Sequence, residues 1–141
     1  MKYVLDSSVA FKWLVPEKDS PKALKLRDEF NQEMVELIAP DILPVEITHA
    51  LTRAERQKRI TPAKGAILLK DLLQNLPVLH AYLPLLPLAY AISSKMHVGV
   101  YDCLYIGLAE QEDCELVTAD DKLVKNLQKR FPFVVSLDSL P

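Results

Sequence analysis

The chain has 141 residues, half of them hydrophobic and 26% charged, with a formal net charge of -2. That length and composition suit one globular domain, residues 1–141, with a real core, and they exclude a disordered or low-complexity chain. The slightly acidic balance points away from a protein that binds nucleic acid through bulk charge, and leaves local basic patches to be weighed.

The opening KYVLD (2–6) is a short apolar strand, too brief for the apolar core of a signal peptide. SSVAFKWLV (7–15) reads as a short helix stopped by Pro16. SPKALKLRDEFNQEM (20–34) is a helix with Ser20 as cap and Pro21 at its first position, and VELIAP (35–40) is a second strand. PDILPVEITHALTRAERQKR (40–59) is a helix that Asp41 is expected to cap, and TPAKGAILLKDLLQNL (61–76) is another, capped by Thr61.

PVLHAY (77–82) is a strand, and LPLLPLAYAISSKMH (83–97) a helix ending before Gly99. The longest apolar stretch, around residues 81–94, is too short and too proline-broken to span a membrane. YDCLYIGLAEQED (101–113) is a helix apolar around its whole circumference, so it is expected to be buried. CELVTAD (114–120) is a strand, DKLVKNLQKRF (121–131) an amphipathic helix, and FVVSL (133–137) a last strand. Short apolar strands alternating with helices predict an α/β domain, a mainly parallel sheet with helices on both faces. Cys103 and Cys114 form neither a CxxC pattern nor a Cys/His ligand spacing, so they read as reduced thiols of a cytoplasmic protein.

In open α/β sheets, sites form at the carboxyl ends of strands. Asp6 ends the first strand and Asp120 the fourth, with Asp121 directly after it. Glu46 lies on the flank of the apolar stripe made by Leu43, Ile47, Ala50, Leu51 and Ala54, and is therefore half covered. Asp102 heads the most apolar helix, where the helix dipole favours an anion. Capping accounts for each aspartate taken alone, and an ion pair to Arg53 or His49 accounts for Glu46. What capping leaves unexplained is four acids placed by their elements at one end of one sheet.

Crowded carboxylates repel and need a positive partner. Mg²⁺ or Mn²⁺ fits an all-oxygen donor set, whereas the scattered His49, His80 and His97 offer no zinc site. Such a cluster suits metal-assisted hydrolysis of a phosphodiester. Ser7, Ser8 and Thr118 flank the acids with hydroxyls able to orient a carboxylate or meet a phosphate, although capping of the following helix or turn is the better reading of Ser8. Arg53, Arg56, Lys58 and Arg59 follow Glu46, and Lys122, Lys125, Lys129 and Arg130 follow Asp120; they are either solvated faces or phosphate contacts. Lys12, Trp13 and Tyr101 stand near the expected site, with Trp13 better suited to the core or a dimer interface.

The stretches VLDSSVAFKWLVPE, APDILPVEITHAL and VGVYDCLYIGLAEQEDCELVTADDKL together resemble the PIN-domain ribonucleases, in particular the VapC-like toxins of toxin–antitoxin pairs, over residues 2–130. The resemblance implies a single PIN-like domain whose catalytic acids are Asp6, Glu46, Asp102 and Asp120, with Asp6, Asp102 and Asp120 on the metal. It implies Mg²⁺- or Mn²⁺-dependent endonucleolytic cleavage of RNA, with Ser7, Thr118 and Arg53 as substrate-positioning groups. It further implies a homodimer neutralised by a VapB-like antitoxin. The role of Asp121 is left open. Three rivals stand beside this reading: a DNA-cleaving relative, a silent RNA- or protein-binding module of the same fold, and a receiver-like phosphoryl-acceptor domain. The last wants a lysine after a late strand, where this chain has Asp138.

Overall fold

The computed structural model of the chain describes residues 1–141. Five strands form one parallel sheet: β1 (Lys2–Leu5), β2 (Glu36–Pro40), β3 (Val78–His80), β4 (Glu115–Thr118) and β5 (Val134–Ser136), in the spatial order β3-β2-β1-β4-β5. Seven helices connect them: α1 (Ser7–Leu14), α2 (Ser20–Asn31), α3 (Leu43–Arg56), α4 (Pro62–Gln74), α5 (Leu86–Met96), α6 (Val100–Gln111) and α7 (Asp121–Leu127). The expected α/β layering is therefore what the chain adopts, with every expected strand and helix present.

The strand order carries the functional consequence. The chain builds outward from β1 through β2 to β3, then crosses back to lay β4 on the other side of β1. That reversal opens a crevice beyond the carboxyl ends of β1 and β4, the switch point where such sheets bind ligands. Val4, Leu5, Leu37, Ala39, Leu116 and Val117 are almost wholly buried, as strands covered on both faces require. Helix α6 lies over β1 and β2 and packs on α5, and its residues from Cys103 to Ala109 are all buried. Its near-uniform apolarity is thus explained by neighbours on every side.

Several local expectations are corrected. Ser20 does not cap α2: Asp19 holds the cap position without a side-chain bond, and Ser20 Oγ accepts from the Glu17 N–H and donates to the Lys12 carbonyl. Asp41 does not cap α3, whose cap position is Ile42; its carboxylate accepts the Tyr82 N–H at 3.1 Å, tying the end of β2 to the segment before α5. Residues 83–97 are not one helix, since Leu83–Leu85 form a 3-10 turn ahead of α5. Asp102 is not a cap either. Gly99 precedes α6, and Asp102 sits inside the first turn.

No glycine terminates a helix in the left-handed conformation. Glu33, Lys58, His97 and Asp113 do so instead, with φ between 51° and 59°. A left-handed non-glycine residue is normally disfavoured, and each is held by the backbone hydrogen bonds of its helix end. Trp13 belongs to the core; its indole N–H donates to the Ala23 carbonyl at 2.8 Å. Cys103 is buried and Cys114 half-buried, both as free thiols. No helix is long and apolar enough to cross a membrane.

Candidate functional site

The register of β1 against β4 pairs Leu5 with Val117, which brings Asp6 beside Thr118 just past the strand ends. The Asp6 N–H continues the ladder to the Val117 carbonyl at 3.1 Å. Asp6 then caps α1, as a β-region aspartate before a helix should. Its side chain is only 5% exposed. One oxygen, Oδ2, accepts from the Ser8 hydroxyl at 2.5 Å, the Thr118 hydroxyl at 3.0 Å and the Ser8 N–H at 3.3 Å. The other, Oδ1, takes no protein hydrogen bond. Asp6 is thus locked by one oxygen and presents the second.

The two hydroxyls extend the lock to Asp120. The Ala119 N–H donates to Ser8 Oγ at 3.0 Å, and the Asp120 N–H donates to Thr118 Oγ1 at 3.1 Å. Thr118 is fully buried, and Asp120 is an exposed cap on α7, accepting the Leu123 N–H. The capping reading of Asp6 and Asp120 is therefore correct as far as it goes, and the same geometry brings the two carboxylates close enough for Asp120 to raise Asp6, with Asp120 lining the groove.

Glu46 projects from the first turn of α3. Its partner is neither Arg53 nor His49. Glu46 Oε1 accepts the hydroxyl of Tyr105 at 2.7 Å, a residue 1% exposed and one turn beyond Asp102 on α6. Tyr105 is a site residue that the sequence reading missed. The signal was available: a lone hydroxyl inside an otherwise apolar buried helix must find a partner.

The four acids feel one another. Burial, then repulsion from Asp6, Glu46 and Asp120, pushes the Asp102 carboxyl up from 3.8 to about 6. Burial is also the main reason that Asp6 is raised, against the lowering effect of Ser8 and Thr118 and with a further push from Asp120. Glu46 is raised by burial, with Tyr105 opposing and Asp6 adding. None of the chain's four ion pairs involves these acids, so the repulsion has no internal counter-charge. The acids do not close into a ready cage, for no three of them stand in position to enclose a metal ion. Mg²⁺ needs none, because it keeps several waters and takes one or two carboxylates.

The remaining expected groups divide. Ser7 lines the crevice beside Ser8 and Glu46, a groove of about 350 Å³. Arg53 is exposed on α3, makes no ion pair and does not line that groove. Asp121 turns to β5 and accepts the Ser136 hydroxyl at 3.0 Å. Tyr101 is exposed, whereas Lys12 lines the groove.

Known proteins share this architecture. Ribonuclease VapC3 of Pyrobaculum aerophilum is 29% identical over 138 residues, covering 96% of this chain and 99% of that protein. The crystal structure of PAE2754 from Pyrobaculum aerophilum superposes with a TM-score of 0.71 at 20% identity, over 99% of this chain and 94% of that one. VapBC2 from Rickettsia felis, in a crystal structure bound to a DNA fragment from their promoter, gives 0.68 at 15% identity, over 96% and 97%. At such identities the two structures speak for the fold. The family model described as PIN domain matches residues 3–128, a span that begins in β1 and ends just after α7. The chain belongs to the PIN domain family.

Proposed function

We propose that this protein is a Mg²⁺- or Mn²⁺-dependent endoribonuclease of the VapC kind, hydrolysing phosphodiester bonds in RNA. The observation that carries the reading is that Asp6, Glu46, Asp102 and Asp120 lie close enough for their charges to raise the carboxyls of the first three, with no ion pair to any of the four. The near full-length likeness to a ribonuclease supports the choice of chemistry.

Asp6, Asp102 and Asp120 would hold the metal, and the all-carboxylate donor set suits a hard, oxygen-loving ion. When bound, such an ion lowers the pKa of an attacking water and offsets charge developing on the phosphodiester. The chain supplies the rest. Ser8 and Thr118 fix Asp6 through Oδ2 and leave Oδ1 without a protein hydrogen bond. Thr118 also ties the Asp120 backbone to Asp6, so the two acids keep one spacing. Glu46 is the general base: Tyr105 occupies Oε1, and Oε2 takes the proton of the water. Its upward-displaced carboxyl is a stronger base than a solvated glutamate. Ser7 contacts the substrate near the scissile phosphate. The proposal extends to a homodimer, a VapB-like antitoxin as partner and a cytoplasmic setting.

The test is cleavage of a mixed RNA pool by purified protein with Mg²⁺ or Mn²⁺, with EDTA, and with Asp6→Asn. Cutting that requires both the metal and Asp6 is expected. Cutting of DNA in place of RNA, or binding without cutting by folded protein, would replace the proposal with a DNA nuclease or a silent binding module.

A further inference from the structure

The groove that Glu46 and Asp120 line also carries a different chemistry. Phe11, Lys12 and Glu17 line it as well. Lys12 Nζ lies 3.3 Å from Glu17 Oε1, and Arg59 Nη2 lies 2.9 Å from Glu17 Oε2. One carboxylate therefore bridges two cations, one on each oxygen. The Arg59 guanidinium also lies over the ring of Phe11, 5.9 Å from its centroid, and Phe11 lines the groove.

The backbone builds this arrangement deliberately at both ends. Lys58, at φ 59°, ends α3 and folds the chain back so that the Arg59 N–H reaches the Ala54 carbonyl at 2.9 Å. That turn delivers Arg59 across to α1. Glu17 is held from the other side, its N–H donating to Ser20 Oγ at 2.8 Å. Lys12 follows Asp6 by six residues, about 9 Å along α1.

We infer that Lys12 and Arg59 form a phosphate-binding subsite for the RNA strand that enters the acidic crevice, and that Glu17 occupies it in the free protein as a carboxylate stand-in for the phosphate. The inference rests on the nuclease reading and adds where the strand is held. A phosphate bridging the two cations uses its two free oxygens as Glu17 uses Oε1 and Oε2. Two cations around one carboxylate leave an excess positive charge at this end of the groove. Glu17 and Arg59 are partly solvated, with side chains 29% and 38% exposed, so solvent screens the bridge and an entering phosphate can displace it. A strand lying over Asp6 and Asp120 thus meets repulsion at the acids, offset by bound metal, and attraction at the Lys12–Arg59 end.

The test measures binding of a labelled, mixed-sequence single-stranded RNA by fluorescence anisotropy, across a salt series with Mg²⁺. The Asp6→Asn chain is used so that the RNA is not cut. Backbone contacts are independent of sequence, so the natural target need not be known. Added to that background, Arg59→Ala and Lys12→Gln should each weaken binding and flatten the log–log salt slope by about 0.7, the value for one phosphate contact on a single strand. Arg59→Lys should restore most of the slope. Glu17→Gln should tighten binding at low salt by about two- to fivefold, the range that a partly exposed ion pair represents.

Thermal melts establish that each variant is folded. If Arg59→Ala leaves the slope unchanged and Glu17→Gln binds no better than its parent, the ion pairs merely brace α1 against the end of α3 and the subsite is refuted, even if the wild-type protein cleaves RNA. If the Asp6→Asn chain binds no RNA and the wild type cuts none, the nuclease reading falls and the subsite with it.

Discussion

Asp102 offers the sharpest test of the crowded-carboxylate account. Its carboxyl is displaced from 3.8 to about 6 by burial first and by Asp6, Glu46 and Asp120 after it. Below 3.8 the group is protonated in folded and unfolded chains alike, and the folded state is not penalised. As pH rises toward 6 the unfolded chain ionises first, so the folded state loses stability, and above 6 the loss is complete. The displacement corresponds to about 3 kcal/mol at most. Asp102 is only half-buried, and solvent screening reduces this to about 1 to 2 kcal/mol. Asp102→Asn removes that penalty of burial and repulsion and also forfeits about 0.5 kcal/mol of favourable interaction with the amino end of α6. Near neutral pH and without metal, the variant should therefore be more stable by about 1 kcal/mol, raising Tm by about 3 to 4 °C. At about pH 3 the difference should vanish, because this position is then protonated in the folded and the unfolded wild type alike. Saturating Mg²⁺ should reverse the order: it stabilises the wild type, by about 2.7 kcal/mol at a hundredfold excess over Kd, and the variant much less. Scanning calorimetry at the two pH values, with and without Mg²⁺, reads all of this. A variant less stable than wild type at neutral pH without metal, or a difference independent of pH, would refute the repulsion argument.

Other residues give further tests. Tyr105→Phe removes the donor to Glu46 Oε1 and should cost about 1 to 2 kcal/mol near neutral pH by chemical denaturation. Because that hydroxyl lowers the Glu46 carboxyl, its loss should also move the acid limb of the pH–rate profile to higher pH; an unmoved limb would remove Glu46 as the base. Thr118→Val deletes one of the bonds that lock Asp6 and leaves the Asp120 N–H without its acceptor; kcat should fall and the metal concentration for half-maximal rate should rise, while Asp121→Asn, bonded only to Ser136, should keep wild-type rates. Glu33→Gly relieves a left-handed residue at φ 59° remote from the crevice and should raise stability by about 0.5 to 1 kcal/mol in a denaturant titration, with activity unchanged.

The sequence by itself determined the alternation of strands and helices and the positions of Asp6, Asp120 and Glu46 relative to their own elements. These follow from local stereochemistry: strand and helix periods decide which face a residue takes, and proline or a capping hydroxyl marks where an element begins. Thr61 at the head of α4 shows such a signal read correctly. Asp41 and Ser20 show its limit, because both have capping chemistry and both spend it on partners elsewhere. Only the tertiary structure decided that β4 returns to lie beside β1, which opens the crevice at their ends. It alone decided that the Thr118 hydroxyl joins Ser8 on Asp6 Oδ2, that Tyr105 reaches Glu46 across 59 positions, and that Arg59 reaches Glu17 beside Lys12. Each of these joins groups on different elements, and their approach is set by strand register and helix packing. Neither leaves a period or a spacing along the chain.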